Sequence, residues 1–251
     1  MTLTNNYNLP EPVVRALSYD DYEQVGDISV TGLLKPVQAA ALEALHADEL
    51  PLEDVSERVW RLYGSAAHEF LYRSRDQDAV IAEKRLTLEV DGGWTVSGKF
   101  DTYDQTTHIL TDFKTTSVWS LIFEPKGRKD WHEQLNLYRY MLECNGYVVE
   151  GLQVIAILRD WSKRDTFKRS DYPAIPIVAV DIPMWTMEQA GKFLMQRVRL
   201  HQKAREQGIW DDCTDEERWK NKTGYARCEG YCRASVFCTQ FHPRDEEGTR
   251  R

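Results

Sequence analysis

The sequence has no apolar run that approaches the roughly 18 residues a helix needs to span a bilayer. Its first residues, "MTLTNNYNLPEPVV", contain no basic start followed by an apolar stretch, so no secretory signal is indicated. From these two absences we expect a soluble, cytoplasmic protein.

An excess of positive charge is also lacking. The chain carries 32 Lys and Arg against 40 Asp and Glu, for a formal net charge of −8. This balance argues against a protein that coats nucleic acid through bulk electrostatics. It does not exclude a nucleic-acid enzyme, because a metal site needs clustered carboxylates and basic contacts can be local. With 251 residues, 42% of them hydrophobic, the chain can bury a core as one large domain with appendages.

Cysteine is scarce and unevenly placed. Of five cysteines, Cys144 stands alone and is interpreted as a plain thiol. The other four follow one another with the spacing C-x14-C-x3-C-x5-C, as Cys213, Cys228, Cys232 and Cys238. In a reducing compartment such a group favours metal binding over disulfides. Four thiolates can close a tetrahedral zinc site or hold a [4Fe–4S] cluster, and the spacing does not choose between them.

Hydrophobic periodicity predicts an α/β protein with a mixed central β-sheet flanked by helices. Pro10 and Pro12 predict that no helix forms early in the chain. The apolar stripe of a helix over about residues 55–73 is expected to face the core, with His68 on its far side. The stripe consists of Val55, Val59, Leu62, Ala66 and Phe70. Other helices are predicted from about residue 31, over 130–142 and over about 186–207, and strands over 84–90, 94–101, 108–115, 152–161 and 176–182.

Acidic residues recur along the predicted strands. Asp101 ends one strand, and Asp112 and Lys114 share a face of the next, so a hairpin would bring both carboxylates together. Glu83 begins the preceding strand and is placed at the same site by position. Two carboxylates with a third ligand suit Mg²⁺ or Mn²⁺. A lysine beside such an ion can orient an attacking water or stabilise charge on a phosphoryl group.

A helix after these strands carries two more polar residues. Gln134 and Tyr138 are four positions apart and therefore lie on one helix face, where they could position a water or a phosphodiester. Taken singly, Asp112 and Lys114 have the simpler interpretation of an exposed ion pair. The order of Asp101, Asp-x-Lys and Gln-x-x-x-Tyr favours a distributed site.

With these motifs in this order, the sequence resembles the PD-(D/E)XK nuclease superfamily, in particular its RecB-like and phage exonuclease branch. The matching stretches are "GSAAHEF", "SGKFD", "DFK" and "QLNLY", and "ISVTGLLKP" is similar to phage-encoded members. The similarity extends over about residues 28–220. It implies a restriction-endonuclease-like core, with an N-terminal extension over 1–30, a nuclease domain over 31–210, a cysteine-cluster segment over 211–240 and a disordered tail over 241–251.

The resemblance implies roles for the polar residues. His68, Asp101, Asp112 and the carbonyl of Phe113 would bind the metal ion, with Glu83 as an addition. Lys114 would be the catalytic lysine beside the attacking water. We therefore expect that Asp112 and Lys114 do not direct their charges mainly at each other.

Two further roles follow in the same way. Gln134 and Tyr138 would help to place the substrate. Some RecB-like nucleases, including those of CRISPR adaptation, resemble this chain in having C-terminal cysteines that bind an iron–sulfur cluster. In that pattern one cysteine precedes the core, whereas here no cysteine precedes His68, which puts the role of Cys213 in doubt. An iron–sulfur cluster is the favoured interpretation, and zinc or free thiols are the alternatives.

Basic residues for DNA contact are predicted in two loops. Lys126, Arg128 and Lys129 lie between the Asp-x-Lys strand and the Gln-x-x-x-Tyr helix. The second loop, "RDWSKRDTFKR", includes Lys163 and Arg164 after Ser162, with Trp161 and Phe167 as rings that could stack on a base. The alternative for this second loop is a solvated charged surface.

The resulting hypothesis is a Mg²⁺- or Mn²⁺-dependent DNA exonuclease, implied by the resemblance to serve phage DNA processing or recombination in the host cytoplasm. Its partners would be single-stranded DNA or duplex ends, and a homo-oligomer or a recombination protein. One rival is an endonuclease of the same fold. Another is a catalytically silent nucleic-acid-binding module stabilised by its cysteine site.

Overall fold

The structure, a computed structural model, describes residues 3–20 and 23–242. The chain forms two compact units. The first unit comprises Leu3–Val30 and Asp54–Phe193, and the second comprises Thr31–Glu53 and the chain from Leu194. The tail predicted for 241–251 lies outside the described residues from position 243 on, and the predicted domain boundaries stay a prediction.

The helices of the described chain are α1 Glu11–Ser18, α2 Val30–Leu33, α3 Val37–Leu45, α4 Val59–Ser74, α5 Val118–Phe123, α6 Lys129–Cys144, α7 Met187–Gln207 and α8 Ala226–Gly230. Short 3-10 helices cover Val55–Arg58, Asp165–Phe167 and Ser235–Phe237. The strands are β1 Leu3–Thr4, β2 Ile28–Ser29, β3 Glu53–Asp54, β4 Val80–Ala82, β5 Arg85–Val90, β6 Trp94–Lys99, β7 Thr102–Asp104, β8 Ile109–Thr116, β9 Gly151–Leu158 and β10 Ile177–Asp181. None of the described helices is long and apolar enough to cross a membrane.

Two larger sheets form the framework of the first unit, beside a short β1–β3 pair. Five strands lie in the order β10-β9-β8-β7-β4, and three in the order β2-β6-β5. β8 and β9 run parallel, while the other neighbours in the five-stranded sheet are antiparallel. Mixed sheets flanked by helices confirm the predicted fold class.

Helix α6 packs against strands of both sheets. Its buried side chains include Leu135, Tyr138 and Met141. Tyr138 and Met141 lie over Gly98 of β6, where an added Cβ would stand 2.9 Å from Tyr138 Cε1 and 3.1 Å from Met141 Sδ. Because Gly98 has no side chain, α6, which carries Gln134 and Tyr138, can approach β6 closely.

Helix α4 forms where it was predicted, but its orientation was predicted incorrectly. Leu62 and Phe70 of the supposed core stripe are 37% and 72% exposed, and no residue of α4 is fully buried. The helix instead turns His68 toward β8. A periodic stripe shows which side chains share a face, but not which face another element covers.

The expectation of no early helix was also wrong. Helix α1 begins directly after Pro10 and contains Pro12 in its first turn. Proline is tolerated there because the first backbone N–H groups of a helix have no partner within the helix.

The second unit holds a buried polar contact between α7 and the end of α2. Arg197 Nε donates to the Leu33 carbonyl at 2.8 Å, and His201 Nε2 lies 3.2 Å from the same oxygen. His201 is 5% exposed. Burial, followed by repulsion from Arg197, lowers the pKa of His201 to about 4, so the ring is neutral at neutral pH.

Candidate active site

The antiparallel pairing of β7 with β8 brings the first two carboxylates together. Thr102 pairs with Thr111, which places Asp101, one residue earlier, beside the second half of β8. Asp101 Oδ2 accepts a hydrogen bond from the Phe113 N–H at 2.7 Å. The hairpin expected from the sequence therefore forms, and Asp101 lies against the Asp-x-Lys motif.

His68 of α4 completes a compact group with two carboxylates. Its Nε2 lies 2.9 Å from the Phe113 carbonyl oxygen. Its Nδ1 lies 3.5 Å from Asp101 Oδ1 and 4.0 Å from Glu83 Oε1. One ligand atom each from His68, Glu83 and Asp101 lie within 4.8 Å of one another. A single cation can contact ligand atoms at such separations.

Glu83 enters this group through an unusual backbone. Its φ angle is +53°, in the left-handed region that residues other than glycine rarely adopt. The Glu83 N–H donates to the Asp101 carbonyl at 2.9 Å, and its carboxylate forms an ion pair with Lys99 of β6. The sequence prediction did not assign a role to Lys99, although the alternation of β6 places Lys99 on the same face as Asp101.

Asp112 is the most deeply buried charge of the site. It is 2% exposed, and its Oδ1 accepts a hydrogen bond from Gln134 Nε2 at 3.3 Å. Its Oδ2 lies 2.9 Å from Lys114 Nζ, so the buried charge is paired with the lysine ammonium. A buried carboxylate requires such a partner, and a bound cation could share this carboxylate with the lysine.

Gln134 links the motif on β8 to helix α6. Lys114 Nζ donates to Gln134 Oε1 at 2.9 Å, and Gln134 Nε2 lies 3.3 Å from the Tyr138 hydroxyl. The single amide therefore contacts the lysine, the aspartate and the tyrosine. Of the two residues predicted to place the substrate, Gln134 contacts Lys114 directly, whereas Tyr138 contacts it only through Gln134.

The electrostatics of Lys114 reflect two opposing influences. Burial lowers its pKa, but attraction to Asp112 and Asp101 outweighs this and raises the pKa above its usual value. Lys114 is therefore a cation at neutral pH. In contrast to the expectation from sequence, Asp112 and Lys114 lie in direct ionic contact.

The pKa of Asp101 reflects its burial close to another carboxylate. Burial, followed by repulsion from Asp112, raises the pKa of Asp101 to about 7, against the opposing effects of His68, the Phe113 N–H and Lys114. Near neutral pH the ionised form of Asp101 is therefore poorly stabilised by its surroundings. A cation placed among these oxygens would lower the pKa of Asp101 again.

The predicted DNA-binding residues occupy two exposed regions. Arg128 Nε pairs with Asp130 at 3.0 Å, Lys129 Nζ lies 4.0 Å from Glu133, and the Lys126 carbonyl accepts from His132. Lys163 and Arg164 lie exposed before the short 3-10 helix Asp165–Phe167.

The Trp161 and Phe167 rings of the second loop differ in their exposure to solvent. Trp161 donates its indole N–H to the Pro173 carbonyl at 2.8 Å and is partly buried, whereas the Phe167 ring is exposed. Phe167 is therefore the more accessible of the two rings for the predicted stacking on a base.

The four C-terminal cysteines line one pocket of the second unit. Cys213, Cys228, Cys232 and Cys238 lie around a small, partly open cavity of about 20 Å³, and none forms a disulfide. The backbone of Cys213 is held by Gln240, which accepts from its N–H at 3.1 Å and donates to its carbonyl at 2.8 Å. Cys213 therefore lies with the other three cysteines although it is distant from them in sequence.

The cysteine sulfurs are spread more widely than the ligand atoms of the first site. Among the described residues, only His68, Glu83 and Asp101 bring three candidate ligand atoms within 4.8 Å of one another. Burial, followed by the neighbouring Glu217 and the other cysteines, raises the pKa of Cys213 to about 12. The Cys213 thiol is thus held protonated when no cation neutralises it.

The fold can be compared with solved structures. The crystal structure of SSO0001 is similar with a TM-score of 0.52 over 92% of this chain and 96% of that chain, at 16% identity. At this identity the likeness concerns the fold alone.

Two exonuclease structures are similar at lower scores. An alkaline exonuclease from Laribacter hongkongensis gives a TM-score of 0.37 at 11% identity, over 68% of this chain and 82% of that chain. A phage-related exonuclease from Haemophilus somnus 129PT gives 0.36 at 16% identity, over 79% and 81%. No protein-family profile and no curated protein sequence matches this chain.

Proposed function

We propose that this chain is a divalent-metal-dependent deoxyribonuclease that hydrolyses phosphodiester bonds. The observation that carries the proposal is the convergence of His68, Glu83 and Asp101 on one point, next to a buried Asp112. Lys114 lies 2.9 Å from Asp112 Oδ2. Separate elements supply these groups, and the raised pKa of Asp101 supports a site that a cation would stabilise.

The chemistry of the donor set fits Mg²⁺ or Mn²⁺. Carboxylate and carbonyl oxygens are the ligands that these ions prefer, and imidazole favours the later transition metals. The ion would be held by His68, Glu83 and Asp101, whose ligand atoms lie within 4.8 Å of one another, with Asp112 and the Phe113 carbonyl beside it. Because one ligand is a histidine, we expect Mn²⁺ to support at least as much activity as Mg²⁺.

The chain's own residues would then position and stabilise the reacting groups. When bound, the metal ion would supply Lewis-acid stabilisation of the phosphoryl oxygens and make water a better nucleophile. Lys114, protonated and held by Gln134, would orient the attacking water and offset the negative charge that develops on the phosphoryl group. Hydrolysis adds water across one P–O bond and leaves a phosphate monoester and a hydroxyl group. Tyr138 would act through Gln134, as a positioning residue.

Within this proposal we favour an exonuclease that acts in phage DNA processing or recombination. The resemblance of the "SGKFD", "DFK" and "QLNLY" motifs to RecB-like and phage exonucleases supports it. An endonuclease of the same fold is the alternative. The basic residues Lys126, Arg128 and Lys129 precede or begin α6, which carries Gln134, and they are proposed to contact the DNA backbone.

A direct test is an assay on end-labelled linear and circular DNA, single- and double-stranded, with Mg²⁺, Mn²⁺ or EDTA. Lys114→Ala should lose activity, whereas Lys192→Ala, which removes an exposed lysine paired with Glu188, should retain it. Cleavage of linear but not circular DNA would identify an exonuclease. If the wild type and Lys114→Ala cleave equally, or neither cleaves any of these substrates, the nuclease proposal fails.

For the cysteine pocket we propose a [4Fe–4S] cluster that stabilises the second unit. All four thiols line one cavity, and C-terminal cysteines in some RecB-like nucleases that this chain resembles bind an iron–sulfur cluster. A protein purified without air should be brown and absorb broadly near 400 nm. A colourless protein with one equivalent of zinc would reverse this assignment.

A further inference from the structure

Exposed aromatic rings on α4 and α5 contact arginines that follow strand β9. Trp60 of α4 is 54% exposed, and Trp119 and Phe123 of α5 are 42% and 76% exposed. Trp119 and Phe123 stack on each other with their ring centroids 5.8 Å apart. Large rings on a surface are informative when they are contiguous, because scattered exposed rings are common and carry no meaning.

Two arginines of the β9–β10 loop lie over these tryptophans. The Arg159 guanidinium is 4.3 Å from the ring centroid of Trp60, and that of Arg169 is 5.1 Å from the ring centroid of Trp119. Such distances are those of cation–π contacts. Trp60, Trp119, Phe123, Arg159 and Arg169 are referred to below as the aromatic–arginine surface.

Hydrogen bonds fix the elements that carry this surface. The Arg159 N–H donates to the Thr116 carbonyl at 3.0 Å, which continues the β8–β9 pairing. Asp160 accepts from the Ser117 hydroxyl and the Val118 N–H, both at 2.6 Å, and so holds the first turn of α5. The surface is thus formed by anchored elements.

The aromatic–arginine surface begins next to the candidate active site. Thr116 follows Lys114 by two residues and therefore shares its strand face, about 6–7 Å away. Thr116 Oγ1 lies 2.8 Å from the hydroxyl of Ser120 in α5, the helix that carries Trp119 and Phe123. Trp60 belongs to α4, the helix that supplies His68. A strand whose phosphodiester lies at Lys114 would therefore meet these rings with its neighbouring nucleotides.

The local charge is opposite to that of the whole chain. Residues 159–171 contain five basic and three acidic side chains, in a chain of net charge −8. The three acidic residues are engaged locally, Asp160 at the start of α5, Asp165 with Lys168 Nζ at 2.6 Å and Asp171 with Arg169 Nη2 at 2.7 Å. The surface therefore combines aromatic faces with positive charge, which is the combination that binds single-stranded nucleic acid.

We propose that the aromatic–arginine surface binds the unpaired bases of a single DNA strand and delivers that strand to Lys114, an inference that rests on the proposed nuclease function. The ring faces distinguish a single strand from a duplex, because the base faces of a duplex are already stacked on one another. Arg159, Lys163 and Arg164 would supply the phosphate contacts, because Arg169 and Lys168 are paired with Asp171 and Asp165.

Binding in EDTA tests the proposal without cleavage. The probes are a fluorescein-labelled oligothymidine and a labelled blunt hairpin duplex with the same number of nucleotides, followed by fluorescence anisotropy. Trp60→Ala and Trp119→Ala should each weaken oligothymidine binding by at least about fivefold, the lower end for the loss of one stacked base, and should change hairpin binding much less. Trp119→Phe keeps an aromatic face and should retain most of the affinity.

Tyr231→Ala, which removes a 74% exposed ring of the second unit, is the matched control and should bind as the wild type does. Thermal melting of each variant checks that it is folded. Unchanged oligothymidine binding by folded Trp60→Ala and Trp119→Ala overturns the proposal, as does an equal loss for the hairpin, or a wild type that binds neither probe.

The two proposals can fail separately. A wild type that binds oligothymidine through these tryptophans but cleaves no DNA overturns the nuclease function and leaves the surface assignment standing. A wild type that cleaves DNA, with tryptophan variants that bind and cleave single strands normally, overturns the surface assignment alone.

Discussion

The chain contains two groups of candidate metal ligands that differ in chemistry and in spacing. In the first unit, nitrogen and carboxylate oxygens of His68, Glu83 and Asp101 already lie within 4.8 Å of one another. In the second unit, four cysteines line a small cavity of about 20 Å³, and no three of their sulfurs lie within 4.8 Å of one another. The first group already has the spacing of a site for a single ion, whereas the second group is more widely spaced.

The two groups share one electrostatic property. Burial and neighbouring acids raise the pKa of Asp101 to about 7, and burial and neighbouring acidic groups raise the pKa of Cys213 to about 12. In both places the fold concentrates groups that bind a proton or a cation more strongly than they would in water. The difference between them lies in the ion that each donor set selects, hard cations for oxygen and iron or zinc for sulfur.

The largest effect is expected from breaking the cysteine group. Cys213→Ser should abolish the metal content and the absorbance of the second unit and lower its melting temperature, because binding free energy at a structural metal site contributes directly to folding. Cys144→Ser is the control and should leave both unchanged. Full metal content in Cys213→Ser would show that Cys213 is not a ligand.

Asp112→Asn should break the first group while leaving the second intact. The substitution preserves shape but removes the buried charge next to Lys114, so we expect nuclease activity to fall roughly 100- to 1,000-fold, as for other losses of transition-state stabilisation. Metal bound by the cysteines, measured on the same sample, should not change. Wild-type cleavage by Asp112→Asn would contradict a metal-binding role for this residue.

The free energy of unfolding should depend on pH in opposite directions for His201 of the second unit and Asp101 of the first unit. His201 has a folded pKa of about 4, below the ordinary histidine value of 6.5, so the unfolded state binds a proton that the folded state does not. Stability contributed by the neutral ring is therefore lost as pH falls from about 6.5 to about 4, by up to about 3 kcal/mol. Asp101, whose folded pKa is raised, acts in the opposite direction, and its contribution falls as pH rises from about 4 to about 7 without metal.

Urea unfolding of His201→Gln at pH 7.5 and 4.5 measures the first effect. The variant should show a smaller loss of unfolding free energy between the two pH values than the wild type shows. Asp101→Asn in EDTA should instead reduce the loss that occurs toward higher pH. Identical pH profiles of His201→Gln and the wild type would exclude His201 as a source of acid sensitivity.

The smallest effect concerns the approach of α6 to the sheet in the first unit. Gly98→Ala would place a Cβ 2.9 Å from Tyr138 and should cost about 1–3 kcal/mol through overpacking. Gly64→Ala is the matched control, because nothing lies within 4 Å of a Cβ there, and it should be neutral or stabilising by about 0.4–1 kcal/mol. Equal stabilities of the two variants, measured by chemical unfolding, would contradict the close packing described for Gly98.

Local pattern was sufficient to predict several parts of this protein. The alternation of β8 places Asp112 and Lys114 on one face, and the helical spacing of Gln134 and Tyr138 places both on one side of α6. These relations depend only on the repeat of a strand or a helix, which is set by backbone geometry. The grouping of four cysteines was visible in the same way, although the place of Cys213 among them was not.

Only the tertiary structure decided which faces meet. The apolar stripe of α4 suggested a buried Phe70, but the helix exposes Phe70 and turns His68 toward Phe113. The pairing of Glu83 with Lys99 and the bridge from Lys114 to Asp112 through Gln134 likewise join distant segments. Periodicity is a property of one element, whereas a site depends on how elements pack, and packing is chosen by the free energy of the whole unit. The sequence by itself therefore determined the residue types and their faces, and the tertiary structure determined which of them form a site.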